Sequence, residues 1–254
     1  MKIAANYCIY NEANYIGYSL KSIYSFVDRI VILISDFPWK GTESLPDETL
    51  EIIYDFPDPE KKIIIKEDRW QNQETERNNA LAINQYLKMD YYWVIDADEI
   101  YDAPVAKKLV EEIEKHPEII NFYCGWWTYW RSFYYRIEPP EISTFIIGRI
   151  VPSFKFKYAR QPSKGPTHRI NCFFHHYSYA RPFERIKKKM TNISGPGSPI
   201  QTGWLEKFEN WPQHKETENL HPYWTNHWQK AVRITWGIPK VLKDHPWSKT
   251  EIIL

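Results

Sequence analysis

The first hundred residues alternate short apolar runs with segments of helical periodicity. The apolar runs, which predict β-strands, cover residues 3–10, 29–35, 62–66 and 91–96. Between them, apolar side chains recur at helical spacing, and the clearest stripe is Ile16, Leu20, Ile23 and Val27. Strands separated by helices need crossover connections. The pattern therefore predicts an α/β fold, a Rossmann-like sandwich with a mostly parallel central sheet.

The pattern changes after residue 100. Asp102 and Pro104 begin a predicted helix, and residues 119–160 are rich in aromatic residues without helical periodicity, which predicts strands and aromatic loops. Residues 181–193 return to helical periodicity, and the stretch SGPGSPIQTG predicts a loop. We therefore predict one domain over residues 1–193. Residues 194–254 should form a helical, Trp-rich C-terminal extension packed on it.

Composition and charge exclude several classes of protein. The chain holds 33 Lys plus Arg and 32 Asp plus Glu, so its net charge of +1 argues against a nucleic-acid partner. Its 3 cysteines are too few for a disulfide framework. No apolar run approaches the roughly 20 residues that span a bilayer, and no secretory signal begins the sequence. These features predict a cytoplasmic protein, with peripheral contact to the membrane face as the closest approach to lipid.

Glycine-based phosphate sites are also excluded. The chain has only 9 glycines, and the turn after the first predicted strand reads YNEANYIG, which does not match the dinucleotide-binding fingerprint. No P-loop sequence is present. Aromatic residues make up 17% of the chain, which fits either an aromatic core or a surface that stacks on flat ligands.

Acidic residues follow the predicted strands of the first half. They are Glu12, Asp36, Glu67, Asp68, Asp96, Asp98 and Glu99. Ligands of open α/β sheets bind at the carboxyl ends of the strands, where these side chains would gather. Two like charges about 4 Å apart repel by about 4 kcal/mol at an effective dielectric near 20. A divalent metal, or Arg and Lys from elsewhere, must therefore offset them.

The sequence DADE, residues 96–99, is the sharpest of these elements. Asp96 ends an apolar strand and Asp98 follows two residues later, so both carboxylates can point into one crevice. Hard oxygen ligands in this arrangement suit Mg²⁺ or Mn²⁺ bridged to substrate phosphates. In the alternative interpretation, Asp98 and Glu99 only begin the next helix, where acidic residues favour the helix dipole.

These segments resemble glycosyltransferase family 2, which has the GT-A fold. The resemblance rests on YNEANYIGYSLKSI, Asp36 after VILIS, RWQNQETERNNALA and YYWVIDADE. It is closest to the small glucosyltransferases of lipopolysaccharide-core assembly, because a later HYSY (176–179) precedes the basic helix RIKKKM. The resemblance implies that residues 1–100 bind the nucleotide sugar. It also implies that residues 101–193 supply the acceptor and metal half.

The resemblance also implies roles for single residues. Tyr10, Glu12 and Asp36 would hold the base and ribose, and Arg77 the base or diphosphate. Asp96 and Asp98 would bind Mn²⁺ or Mg²⁺, with His176 completing the metal shell. Lys187, Lys188 and Lys189 would supply cations to the donor. The alternatives are an ion pair of Arg77 with Glu74 or Glu76, a solvated lysine face, and a core position for the neighbouring His175.

The general base is not evident from the resemblance. Inverting transfer needs a carboxylate that takes the proton of the acceptor hydroxyl. The similar enzymes carry an acid after a histidine some eight residues before the late histidine, and this chain has Arg169 there. Glu138 and Glu141 are the substitutes we predict. The aromatic residues Trp126, Trp127, Tyr129 and Trp130 would face the acceptor or pack in the core.

The sequence therefore predicts a metal-dependent, inverting hexosyltransferase. Its donor would be a nucleotide-diphosphate sugar, with a UDP-sugar favoured, and its acceptor a glycan, a lipid-linked sugar or a protein. A catalytically idle nucleotide-sugar or glycan-binding protein on the same scaffold is the alternative, motivated by Arg169. A metal-dependent phosphotransfer enzyme on an α/β sheet is a third hypothesis.

Overall fold

A computed structural model describes residues 1–39, 46–192 and 200–254 of the chain, without the side chains of residues 191 and 192. The first half alternates strands and helices: β1 (Ile3–Ile9), α1 (Ile16–Ile23), β2 (Arg29–Ser35), α2 (Thr49–Tyr54), β3 (Ile63–Asp68), α3 (Gln73–Tyr86) and β4 (Tyr91–Val94). The second half contains β5 (Glu99–Ile100), α4 (Ala103–Lys115), β6 (Asn121–Trp130), β7 (Tyr135–Glu138), β8 (Glu141–Arg149), β9 (Phe156–Tyr158), β10 (Gln161–Pro162), β11 (Thr167–Tyr179), α5 (Phe183–Asn192), α6 (Trp204–Asn210) and β12 (Lys230–Arg233). None of the described helices is long and apolar enough to cross a membrane.

The predicted parallel sheet forms the core of the fold. Its four strands run in the order β3–β2–β1–β4, and every neighbouring pair is parallel. Beyond β4 the sheet continues through β8, β6, β7 and β12, all paired antiparallel. The α/β class is thus confirmed, and the sheet is mixed rather than parallel throughout.

Both faces of the parallel strands are covered by other elements, which explains their continuous apolar sequences. In β2, Ile30, Ile32 and Ile34 pack in one core with residues of α1, α2 and α4. Val31 and Leu33 point the other way and pack against α3 and the β9 segment. A strand buried on both faces has no position left for a polar side chain, and β2 has none between the half-buried Arg29 and Ser35.

The long strand β11 joins the DADE sequence to the histidines. It runs parallel to β6, and its far end pairs antiparallel with β5, so that His176 lies opposite Glu99 and His175 opposite Ile100. The alternative in which Asp98 and Glu99 begin a helix is therefore wrong. Helix α4 begins only at Ala103, after Asp102 and with Pro104 in its first turn, as predicted.

The prediction of a helical C-terminal tail is mostly wrong. Within residues 200–254, the structure has the seven-residue helix α6, strand β12 on the edge of the sheet, a short 3-10 turn at Lys240–Leu242 and irregular chain. Trp204, Trp211 and Trp228 of this region pack in a core with Trp130. The predicted loop at 194–203 and the boundary at residue 193 fall largely outside the described residues.

Candidate active site

The DADE sequence lies where the direction of chain connection across the parallel sheet changes. From β1 the chain moves outward to β2 and β3, and then returns to the other side of β1 as β4. The two crossovers diverge here and leave a crevice at the carboxyl ends of β1 and β4. Asn11, just after β1, has a φ of 51° and turns the chain sharply there. Glu12 and Asp98 lie close together there, because Arg181 binds both carboxylates.

Asp98 is the most heavily contacted carboxylate of the site. Its side chain is 5% exposed, and its Oδ2 atom accepts hydrogen bonds from Arg181 and from Lys189, both at 2.9 Å. Its Oδ1 atom lies 3.6 Å from His176 Nε2. Arg181 also donates to Glu12 at 2.5 Å, so this guanidinium links the ends of β1 and β4.

Asp96 belongs to a second, adjoining network. Its Oδ1 atom accepts from Arg77 at 2.8 Å and its Oδ2 atom from Arg160 at 3.0 Å. Arg160 also binds the fully buried Glu99, with one of its two contacts at 3.2 Å. The Asp96 side chain keeps 31% of its surface exposed, which makes it the more accessible of the two DADE aspartates.

Four carboxylates thus face four permanent cations, and the pKa shifts follow from this balance. Burial alone would raise the pKa of Asp98, but Lys189, His176 and Arg181 together hold it well below its usual range. For Asp96, Arg160 and Arg77 likewise outweigh burial and lower the pKa. Burial lowers the pKa of His176 to about 4 against the attraction of Asp98, so its imidazole is neutral near pH 7.

Local structure positions each cation. Arg160 and Ala159 form the two-residue turn between β9 and β10, and Ala159 adopts a φ of 38°. A positive φ is unfavourable for alanine, and here it accompanies the contact of the neighbouring Arg160 with Asp96 and Glu99. Arg181 comes two residues after the end of β11, and Lys189 lies in the next helix, α5.

Glu141 adjoins His176 through two side chains. It accepts hydrogen bonds from Trp126 Nε1 and, at 3.3 Å, from Thr128. The Trp126 ring stacks on His176 with centroids 4.1 Å apart, and the Thr128 hydroxyl lies 3.5 Å from His176 Nδ1. Burial raises the pKa of Glu141, and the bond from Trp126 opposes that rise. His227, from the C-terminal region, lies 4.0 Å from its other oxygen.

Several predicted residues lie apart from these contacts. Asp36 is 63% exposed and pairs with Arg69. Lys187 is exposed, and Lys189 makes the contact to Asp98 instead. Glu138 pairs with Arg136, and its backbone lies opposite Lys230 of β12. Tyr10 directly follows β1 and is half-buried.

Contacts of Arg77, His175 and the aromatic residues bear on the remaining sequence alternatives. Arg77 pairs with Asp96, while Glu76 accepts a hydrogen bond from Trp39, so the proposed Arg77–Glu76 pair is not what neutralises this arginine. His175 is a buried residue that contacts Asp102 and Tyr129, as the core alternative expects. Tyr129 and Trp130 are fully buried, whereas Trp126 and Trp127 are half-buried.

Arg160 and Arg181 are site residues that the sequence analysis missed. Arg160 follows an aromatic segment, KFKYA, that carries no family motif. Arg181 does lie near a motif, because it comes two residues after the HYSY sequence and directly before Pro182. Both act on carboxylates more than sixty residues away along the chain. A local pattern contains no sign of such a contact.

The donor set of the site fits a divalent cation whose shell the protein only partly supplies. In the described part of the chain, Asp96, Asp98 and His176 do not form a three-ligand group with all ligand atoms within 4.8 Å. Mg²⁺-type sites need only one or two carboxylates, because phosphate oxygens and water complete the shell. Arg181 and Lys189 both bind Oδ2 of Asp98. Its Oδ1 atom faces the neutral His176 instead, so this is the Asp98 oxygen that would bind a metal ion.

Comparisons with known proteins identify the family and the fold. The sequence model of the family described as glycosyl transferase family 2 matches residues 7–186. No curated protein matches the chain. A mannosyltransferase from Pyrobaculum calidifontis, solved in complex with GDP-Man and Mn²⁺, is 14% identical with a TM-score of 0.50. The alignment covers 75% of this chain and 61% of that one, less than two thirds of its length.

A second solved structure is more distant. Glucosyl-3-phosphoglycerate synthase from Mycobacterium tuberculosis, in complex with UDP, is 17% identical with a TM-score of 0.37. The alignment covers 52% of this chain and 45% of that one. At such identities the likeness to the Pyrobaculum structure concerns the fold alone, and that fold is GT-A.

Proposed function

The chain belongs to glycosyl transferase family 2, and from this premise we propose that it transfers a hexose from a nucleotide-diphosphate sugar to an acceptor, with inversion at the anomeric carbon. The observation that carries the proposal is the meeting of Asp96 and Asp98 with Arg77, Arg160, Arg181 and Lys189. This cluster stands at the carboxyl ends of β1 and β4, where α/β sheets bind nucleotides.

The cations of the cluster suit the leaving group. Cleavage of the sugar–phosphate bond leaves a nucleoside diphosphate, so negative charge grows on the diphosphate oxygens in the transition state. Cations fixed next to those oxygens stabilise the transition state more than the ground state. Arg181 and Lys189 are held in place by Asp98 before any donor binds, so they need little reorganisation.

Asp96, Asp98 and His176 are the residues that would hold Mn²⁺ or Mg²⁺. Such an ion, when bound, supplies a Lewis acid that offsets the charge of the diphosphate. His176 suits this role because its imidazole is neutral near pH 7 and keeps a lone pair for an ion. The Pyrobaculum mannosyltransferase, solved with Mn²⁺, supports the choice of a divalent ion.

We assign the general base to Glu141 rather than Glu138. Thr128 contacts both Glu141 and His176, so Glu141 lies next to the proposed metal ligands. Burial raises the pKa of Glu141, which makes its carboxylate a better proton acceptor. Position 169 does not compete, because Arg169 is exposed and lies seven residues before His176 on β11. At about 3.3 Å per residue, an acid there would lie roughly 20 Å from the crevice.

We further propose a UDP-sugar as donor and a glycan, lipid-linked or protein acceptor, on the resemblance to the lipopolysaccharide-core glucosyltransferases. In this proposal residues 1–100 bind the donor and supply Asp96 and Asp98 to the metal, and residues 101–193 supply His176 and the base. Residues 200–254 contribute to the acceptor side, because His227 lies 4.0 Å from Glu141. The half-buried rings of Trp126 and Trp127 would stack on the apolar face of a sugar.

One observation favours the catalytically idle alternative. Both DADE aspartates are already paired with cations of the protein, so the cluster is electrically balanced without a metal. A protein that only binds the nucleotide sugar would show the same balance. Donor binding in calorimetry, without turnover of any acceptor in a broad panel, would support this second candidate.

The proposal is tested with the D96N/D98N double variant. Release of nucleoside diphosphate from UDP-glucose and GDP-mannose is measured with Mn²⁺ present, and the double variant should lose it. D55N, which changes an exposed aspartate after α2, is the control and should keep it. E141Q should lower kcat at least 100-fold with unchanged donor affinity, while E138Q should not. Full activity of the double variant would refute the proposal.

A further inference from the structure

Three metal-ligating side chains meet far from the candidate active site. Glu112 and His116 lie four residues apart at the carboxyl end of α4, and His168 is the second residue of β11. The ligand atoms of all three lie within 4.8 Å of one another. His168 precedes His176 by eight residues of the same strand, which places this group roughly 25 Å from Asp98. The group is therefore separate from the donor cluster.

The spacing of the ligand atoms matches a tetrahedral transition metal. Zn²⁺ binds His nitrogen and carboxylate oxygen at about 2.0–2.2 Å, so neighbouring ligand atoms of a tetrahedral site stand about 3.3–3.6 Å apart. His168 Nε2 lies 3.4 Å from Glu112 Oε2, and His116 Nε2 lies 3.9 Å from the same oxygen. A shift of a few tenths of an ångström brings the second distance into range.

The surroundings orient the ligands for an ion. His116 directs Nε2 to Glu112, and its other nitrogen, Nδ1, lies 3.4 Å from Glu118. A carboxylate on the second ring nitrogen fixes the tautomer of a metal-binding histidine and makes it more basic. Lys115 binds the other oxygen of Glu112 at 2.9 Å and leaves Oε2 to the histidines.

Two histidines at one carboxylate oxygen are better explained by an ion than by ion pairs. The rings of His116 and His168 have centroids 4.3 Å apart, so two protonated imidazoles would repel each other at close range. A divalent ion instead takes both rings in their neutral form together with the carboxylate. The side chains are 19–36% exposed, so an ion can reach them from solvent.

We propose that Glu112, His116 and His168 form a binding site for a transition-metal ion of the Zn²⁺ type, which fastens the end of α4 to the start of β11. Three protein ligands leave one position for water. The site does not depend on the proposed glycosyl transfer, so it stands or falls separately from that activity.

Zinc binding to the purified full chain tests the proposal. Equilibrium dialysis without nucleotide should show one Zn²⁺ that the D96N/D98N variant keeps and that H116A and H168A each lose. H214A is the matched control, because His214 forms an exposed pair with Glu216 and should leave binding unchanged. C172S should also keep the ion, because the proposed ligands include no thiolate. Equal binding by wild type and H168A, or loss in C172S, would overturn the assignment.

Two further measurements separate a ligand from a structural role. Zn²⁺ should raise the Tm of the wild type but not of H168A, and the two should unfold alike in chelator if His168 acts only through the ion. E118Q should weaken binding about tenfold while keeping one equivalent, because Glu118 orients His116. E111Q, on the same helix and paired with Lys107, should bind as the wild type does. Unchanged affinity in E118Q together with no zinc effect on Tm would contradict the proposal.

Discussion

Two buried glutamates of the site illustrate how surroundings decide the state of the same side chain. Glu99 receives hydrogen bonds from Arg160 and from Tyr101, and burial raises its pKa to about 7 against the attraction of Arg160. Glu76 is equally buried and accepts hydrogen bonds from Trp39 and from the backbone of Ile9. Burial therefore raises the pKa of Glu76 to about 8, although Trp39 and Arg77 oppose the rise. Glu76 is protonated near pH 7.

This protonation predicts a pH-dependent stability. The folded state holds the proton of Glu76 up to about pH 8, while an unfolded glutamate loses it near pH 4.5. Its contribution is complete below pH 4.5 and is lost as the pH rises toward 8. Between pH 6 and 8 the wild type should lose on the order of 2 kcal/mol more unfolding free energy than E76Q. Urea denaturation at both values measures this.

Comparing E76Q with the wild type cancels the contribution of the other titrating groups to the pH dependence. Glutamine imitates the neutral carboxyl and can still accept the hydrogen bond of Trp39. E74Q changes an acidic residue of the same first helical turn and should follow the wild type at both pH values. Parallel pH profiles for wild type and E76Q would mean that Glu76 is ionised in the folded protein.

At the scale of elements, helix α5 presents its lysines to different surroundings. Ile186 and Met190 are buried on its inner face, while Lys187 and Lys188 are exposed. Lys189, beside Met190 at the margin of the buried face, reaches Asp98 at 2.9 Å and Ser178 at 2.8 Å. A step of one residue along α5, from Lys188 to Lys189, therefore leads from an exposed position to contact with Asp98.

Because of this difference, substitution of Lys189 by alanine should affect donor binding more than the same substitution of Lys187. If α5 supplies the donor with a cation, K189A should weaken donor binding about tenfold, since a hydrogen bond to a charged group is worth about 1.5–3 kcal/mol. K187A removes the same charge from an exposed position and should change the affinity less than twofold. Titration calorimetry with UDP and Mn²⁺ measures both. Equal losses would indicate that only the overall charge of the helix matters.

The same elements show what a sequence can predict. The parallel core follows from local pattern, because a stretch buried on both faces, such as residues 30–34 of β2, must be apolar. The position of Asp96 and Asp98 follows from topology, since strand ends share one edge of the sheet. Arg160 and Arg181 could not be predicted, because they reach their partners through tertiary packing. The tail was misjudged because tryptophans fill a core in strands and loops as well as in helices.

At the scale of the molecule, the C-terminal region shares its cores with the sheet. Trp204, Phe208 and Trp211 pack with Trp130 of β6 in one cluster. Ile234, Leu242 and Ile253 pack with Tyr129 and Tyr177 in another. The buried Arg131 donates to the backbone oxygens of Ile253 and Phe208, which fastens the region at two further points. We infer that residues 200–254 unfold together with the sheet.

Two tryptophan substitutions test this inference. Trp211 is fully buried against Tyr135, so W211A should cost about 3–5 kcal/mol. Trp224, in the same region, is 46% exposed, and W224A should change stability by less than about 1 kcal/mol. In W211A, amides of β1 and β2 should exchange hydrogen faster by the factor that the lost stability implies, because they open only with the whole molecule. Faster exchange confined to α6 and β12, with β1 unchanged, would show instead that the C-terminal region opens separately.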